Sequence, residues 1–368
     1  MARITIQNLQ KRFGDFVAVS DSSFVIEDGE FFCLLGPSGC GKTTTLRMIA
    51  GLELPTAGTI HLGSDDVTFK RASARDIAFV FQLFALYPHM NVSANIGFPL
   101  KCDGLARSEI RRRVDETARI LRIRHLLGKP VSGLSSGDRQ RVALGRAIVR
   151  RPKAFLMDEP LGALDAEFRH VMCGELRALH RRLNATTVYV THDQLEAMSL
   201  ADKIAIMNEG IVEQLSTPQE IYDRPASLFV ADFIGSPPMN FIKLRAELRR
   251  GDNTVSVDGE DVKVPTLCED PPEPDLVLGV RPEHVSFSDK ATFRGLIFGV
   301  EYLGTTQIVT VTTERGTVKA RLPSTLRARA GEQVGLVFRP EKLSLFAETS
   351  GRAIRSTLHE AASGGVHG

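Results

Sequence analysis

Short apolar runs recur along the first two thirds of the chain, at Phe31–Leu35, Ile77–Phe81, Ala154–Met157 and Thr187–Val190. They have the length and β-branched or aromatic content of buried strands, and amphipathic segments separate them. Strands alternating with helices predict an α/β fold. Between the second and third runs, Ile110, Val114, Thr117 and Leu121 recur at helical spacing, with Arg111, Arg112 and Arg113 on the opposite face. That pattern predicts a helical insert over about residues 84–150. Beyond Gly235-Ser-Pro-Pro238 the pattern changes to short β-type segments bounded by turn residues, as at 254–257, 276–280, 307–312 and 335–338. The chain therefore divides into an α/β domain over 1–235 and an all-β domain over 236–349. Residues 350–368, rich in Ser, Gly and Ala, carry no periodicity and read as a flexible tail.

A length of 368 residues suits two domains. With 43% hydrophobic and 24% charged residues, the composition is that of a chain able to bury full cores. A formal net charge of +2 gives no support for a nucleic-acid partner, and the arginines between 107 and 124 are a local exception. The five cysteines are scattered without a CxxC and read as reduced thiols. No apolar run approaches the roughly 18 residues of a transmembrane helix, and the start has no apolar core of the signal-peptide kind. The expectation is a cytosolic chain whose membrane role is peripheral.

Gly36-Pro37-Ser38-Gly39-Cys40-Gly41-Lys42-Thr43 follows the first apolar run and leads, through Thr44, into a helix. Strand, GxxxxGK[ST] and helix in that order make a phosphate-binding loop. Glycines let successive N–H groups face a phosphate, the helix N-terminus adds its dipole, Lys42 reaches the terminal phosphates and the Thr43 hydroxyl ligates Mg²⁺. Asp158 and Glu159 end a later apolar run. Such acids would hold the metal (Asp158) and polarise the attacking water (Glu159).

From Lys42 onward the order of motifs resembles the ATPase domain of ABC transporters, a P-loop NTPase domain with a helical insert. Phe81-Gln82 is similar to the glutamine loop, Leu134-Ser135-Ser136-Gly137-Asp138 to the signature loop, Leu161-Gly162-Ala163-Leu164-Asp165 to the D-loop and Thr191-His192-Asp193 to the switch histidine. The resemblance implies ATP as the nucleotide, with Phe13 stacked on adenine. It implies that Gln82 ligates Mg²⁺ and senses a membrane partner, and that His192 contacts the γ-phosphate. It also implies that Ser135, Gly137 and Asp165 act in trans on the ATP of a second copy, so that the working unit is a homodimer. Gly235–Phe241, Gly279–His284 and Val300–Gly304 resemble the OB-fold-like, TOBE-type regulatory region of maltose- and glycerol-phosphate-type importer ATPases. That branch implies two integral-membrane permease subunits, an external solute-binding protein and no nucleic acid. It also implies a place on the cytoplasmic face of the bacterial inner membrane and uptake of a sugar, sugar alcohol or glycerol phosphate.

Two other readings stay open at this point. One is a soluble ABC ATPase acting on nucleic acid or ribosomes; the other is an ATP-binding regulator with weak turnover. The signature supports the second, because Ser136 and Asp138 stand where the family's usual pattern has Gly and Gln.

Overall fold

The computed structural model describes residues 2–81, 85–162, 164–257 and 259–360. The chain forms two compact units that divide between Pro218 and Gln219.

The first unit begins β1 (Ile4–Phe13), β2 (Phe16–Ile26), β3 (Phe31–Leu35), α1 (Lys42–Ala50), β4 (Ala57–Leu62), β5 (Asp65–Asp66) and β6 (Ile77–Val80). It continues with α2 (Val92–Cys102), α3 (Arg107–Ile120), α4 (Ser136–Ile148), β7 (Ala154–Asp158), α5 (Ala166–Leu183), β8 (Thr186–Thr191), α6 (Gln194–Leu200), β9 (Lys203–Asn208) and β10 (Ile211–Ser216). β2, β1, β4 and β5 form an antiparallel sheet. A second sheet has the order β10-β9-β3-β8-β7-β6, parallel except for the β9–β10 hairpin. Its central strands β3, β7 and β8 are buried at every residue, which is why they read as unbroken apolar runs instead of alternating ones. Ile4, Ile6 and Leu9 of the antiparallel sheet share one core with Phe32, Leu34, Val188 and Val190 of the parallel sheet and with Leu46 and Ile49 of α1. The helical insert is present: α3 buries Val114, Thr117 and Ala118 and exposes Arg111 and Arg112.

In the second unit, three antiparallel arrays surround a core that includes Leu276, Leu278, Val280, Val309, Val311 and Leu345. The helices Pro218–Asp223 and Leu228–Phe233 lie at its start, ahead of the boundary expected near residue 235. The buried guanidinium of Arg281 holds them there, donating to the carbonyls of Tyr222 at 2.9 Å, Ala231 at 3.1 Å and Ile234. Residues 350–360, expected to be a flexible tail, are packed instead. Ala353 and Ile354 are buried, Ala353 bridges Phe346, and Thr357–Glu360 is helical. Two consecutive apolar residues are too short a signal for periodicity to detect. Residues 361–368 lie outside the described residues.

One buried cation fixes the far end of α1. Arg75, 1% exposed, donates to the carbonyls of Met48 at 2.6 Å, Ile49 at 2.8 Å, Lys70 at 2.9 Å and Thr68 at 3.0 Å. It thereby satisfies carbonyls at the C-terminus of a helix, where intrahelical partners run out. Arg75→Met takes this donor from the Ile49, Thr68 and Lys70 carbonyls, while Met48 keeps the Gly51 N–H at 3.1 Å, and is expected to lower the unfolding free energy by about 3 kcal/mol. Urea denaturation of the full chain measures this; an unchanged midpoint would show that the carbonyls find other donors.

Candidate functional site

The carboxyl ends of neighbouring parallel strands bring the site together. β3 ends at the phosphate loop, β7 at Asp158 and β8 just before His192, and the sheet order sets β8 between β3 and β7. Sequence-distant groups therefore meet on one edge of the sheet.

Two glycines of the loop are required by close approach. A Cβ at Gly36 would stand 2.2 Å from the Met207 carbonyl oxygen, and one at Gly41, where φ is +100°, would stand 2.4 Å from that of Ala18. The loop closes around Lys42, which is 4% exposed and whose Nζ donates to the carbonyls of Gly36 at 2.9 Å and Pro37 at 2.7 Å. Its Nζ also lies 3.7 Å from Cys40 Sγ. Burial pushes the Cys40 thiol up, against the opposing pull of Lys42. No acid stands in the first turn of α1, so its free N–H groups and the positive end of its dipole face an unneutralised loop. Ser38 and Gly39 are exposed at the tip, while Pro37, Thr43 and Thr44 are half-buried.

Thr43 Oγ1 donates to Asp158 Oδ1 at 3.0 Å. Burial raises the Asp158 carboxyl, opposed by the Thr43 hydrogen bond and by Arg47 and Lys42. Glu159 turns away from the strand with φ +43°, and its N–H donates to the Val190 carbonyl at 3.0 Å. That turn brings its carboxylate within 3.2 Å of His192 Nδ1. Among the described residues no cluster of three His, Cys, Asp or Glu side chains could hold a metal on its own. The Thr43–Asp158 oxygen pair fits a small hard cation that completes its shell with water and phosphate, as Mg²⁺ does.

The remaining expected residues stand elsewhere. Phe13 ends β1, is 48% exposed and carries Lys11 Nζ 4.7 Å from its ring centroid. Asp165 is exposed just before α5. Gln82 lies outside the described residues, as does Ala163 of the expected D-loop. Ser135 caps α4, and Gly137 is buried in its first turn. The Ser135 hydroxyl donates to Asp138 Oδ2 at 2.9 Å and accepts from the Asp138 N–H at 3.2 Å. Asp138 Oδ1 is in turn 3.4 Å from Arg141, whose guanidinium also meets Glu175 of α5 at 3.2 Å. Residue-by-residue reading missed Arg169 and Glu196 and gave Asp193 no role of its own; the three join the loops that carry Asp165 and His192. The signals are only spacings: Arg169 lies one helical turn past Asp165, and Glu196 three residues past the N-cap Asp193.

The family described as ABC transporter matches residues 19–162, the MalK OB fold domain residues 235–285 and the TOBE domain residues 278–346. The trehalose/maltose import ATP-binding protein MalK of Thermococcus litoralis is 45% identical over 96% of this chain and 100% of its own length. This chain belongs to the ATP-binding subunits of ABC transporters. The sn-glycerol-3-phosphate import ATP-binding protein UgpC of Cupriavidus necator is 46% identical over 97% of the chain and 100% of its length. The trehalose import ATP-binding protein SugC of Mycobacterium tuberculosis is 44% identical over 95% and 98%. Among solved structures, CbiO1 of Clostridium perfringens, part of the ABC transporter complex CbiONQ, matches with a TM-score of 0.56 and 28% identity. That match covers 59% of this chain and 89% of the other. The fold is thus the P-loop ATPase domain of an ABC subunit followed by OB and TOBE domains, and the chain binds and hydrolyses ATP.

In an ABC subunit the capping bond of Ser135 has a cost. Its single hydroxyl proton is already given to Asp138, so donation to any other acceptor requires that bond to break. The carboxylate also adds charge that repels a polyanion, and Arg141 is the cation beside it. Asp138→Gln with Ser136→Gly is expected to raise the ATPase rate by about two- to fivefold, most of it from Asp138. The gain should be larger at low salt, where repulsion is least screened. Equal rates at every ionic strength would show that Arg141 already neutralises the added charge.

Proposed function

We propose that the chain energises an importer of a sugar, sugar alcohol or glycerol phosphate, acting as a homodimer on two membrane permeases served by an external solute-binding protein. The observation that carries this reading is the set Lys42, Thr43, Asp158, Glu159 and His192 on one sheet edge, in a chain that also carries Ser135 at a helix N-terminus. Relatives named for trehalose, maltose and glycerol-3-phosphate import, aligned over nearly all of the chain, support the solute class. No described helix is long and apolar enough to cross a membrane, which agrees with a peripheral subunit on the cytoplasmic face.

In this reading Lys42 exchanges its loop carbonyls for the β- and γ-phosphate oxygens while the N–H groups from Gly39 to Thr44 line the phosphate chain. Phe13 stacks on adenine. Thr43, Asp158 and Gln82 hold Mg²⁺, which when bound neutralises phosphate charge and orients the γ-phosphate. Glu159 polarises the attacking water and His192, fixed beside it, contacts the γ-phosphate. Ser135, Gly137 and Asp165 complete the site of the second copy, so neither subunit has a full site alone. A groove of about 350 Å³ lined by Phe79, Ala85, Tyr87, Phe98, Cys102 and Arg146 suits a short permease helix. Tyr87 is held there by its contact with Phe98 at 4.6 Å and by Asn95, which exchanges two hydrogen bonds with its backbone.

Affinity purification of the tagged chain from its native membranes tests the partners. Two permeases and a solute-binding protein are expected; ribosomes or nucleic acid in their place would overturn the reading. Glu159→Gln is expected to bind ATP like the wild type, lose more than about a hundredfold in turnover and trap a dimer. Lys42→Ala is expected to weaken nucleotide binding itself, because it removes the cation that faces the phosphates. Undiminished hydrolysis by the first variant, or wild-type affinity in the second, would refute the assigned roles.

A further inference from the structure

Arg169 stands one helical turn inside α5, and its guanidinium faces two loops. Nη2 donates to the Leu164 carbonyl at 3.0 Å and Nη1 to Asp193 Oδ2 at 2.7 Å, while Nε stands 3.5 Å from Glu196 Oε1. Its backbone N–H donates to the Asp165 carbonyl at 2.9 Å. One residue therefore grips both Leu164 and Asp165.

The other side of this grip is as firm. Asp193, next in sequence to His192, uses Oδ1 to accept from the N–H groups of Leu195 and Glu196 at 2.8 and 3.2 Å. Its own N–H donates to Thr191 Oγ1 at 3.0 Å. Glu196, 4% exposed, accepts from Thr191 Oγ1 at 2.7 Å and from the Tyr189 hydroxyl at 2.8 Å. These bonds leave the backbone on both sides of His192 little freedom, so a displacement of Asp193 reaches His192 and the Glu159 carboxylate beside it. An arginine suits the link because its planar fork offers two donors in fixed relation, whereas a lysine is a single point charge.

We propose that Arg169 is a positioning residue that couples the two ATP sites, passing the seating of Leu164–Asp165 against the second copy to Asp193 and so to His192. This rests on the homodimer reading above. Beyond that it requires only that the two loops move as one body.

The test uses the full chain with Mg²⁺ and ATP. Arg169→Gln is expected to bind a fluorescent ATP analogue within about twofold of wild type and to form the ATP-dependent dimer in a Glu159→Gln background. Its kcat should fall by on the order of tenfold to a hundredfold, the scale of a misplaced catalytic group. Its Hill coefficient for ATP should drop from above one to one. Arg169→Lys should recover little of either. Asp193→Asn keeps the capping oxygen and loses the charge; it should behave like Arg169→Gln, and the double variant should be no worse than the poorer single one. A matching loss of nucleotide affinity, losses that multiply, or a wild-type Hill coefficient in Arg169→Gln would overturn the coupling while leaving the dimer standing. If Glu159→Gln alone forms no ATP-dependent dimer, the two-site reading fails and the coupling with it.

Discussion

The ammonium of Lys42 is buried in a loop that offers it carbonyl oxygens and no carboxylate among the described residues. Removing a cation from water is costly unless hydrogen bonds replace its hydration, and here two backbone carbonyls do so. Those same carbonyls can face Lys42 only because the loop is curled, and the curl depends on Gly36 lying flush against Met207 and Gly41 against Ala18. The charge and the loop thus hold each other in shape before any nucleotide arrives. An anion entering the loop meets a backbone already curled, and the reorganisation that remains is the exchange of the Lys42 carbonyl partners for the anion.

Around that loop the parallel sheet does the rest of the positioning. A strand that stops one residue early or late would move its terminal side chain to the other face. Asp158 pairs with Val190 in register, and Glu159 then uses an uncommon left-handed backbone to turn toward His192. Such a conformation costs of order 1 kcal/mol for a non-glycine residue and persists where neighbours fix it. The bond from Glu159 N–H to the Val190 carbonyl is one such fixture.

Much of this was legible in the sequence because the informative residues are local. The phosphate loop announces itself by strand, glycines, lysine and helix within twenty residues, and Asp158 and Glu159 by their place at the end of an apolar run. What stayed hidden is long-range. Arg75 stands in a polar stretch and Arg281 just past the end of an apolar strand, and nothing near either in sequence says that it is buried under backbone carbonyls. Arg169 looks like one basic residue on an amphipathic helix until Asp193, twenty-four positions away, is brought beside it by the fold. The Ser135–Asp138 bond lies between the two: the altered residue was visible, but its capture of the serine proton depends on the capping geometry.

The helix from Lys42 to Ala50 is bounded at both ends, by Gly41 against the Ala18 carbonyl and by Gly51, where a Cβ would lie 2.5 Å from the Arg75 guanidinium. A helix clamped in this way has one permitted length, about 13 Å for nine residues at a rise near 1.5 Å each. Gain or loss of a single residue within it would rotate everything beyond by about 100° and swing either Thr43 off Asp158 or Met48 and Ile49 off Arg75. An inserted residue would be accommodated better at places such as Gly63, Gly104 and Gly128, where an added Cβ would meet nothing within 4 Å. The segment from Gly36 to Gly51 acts as a fixed ruler against which the lengths of exposed loops can drift.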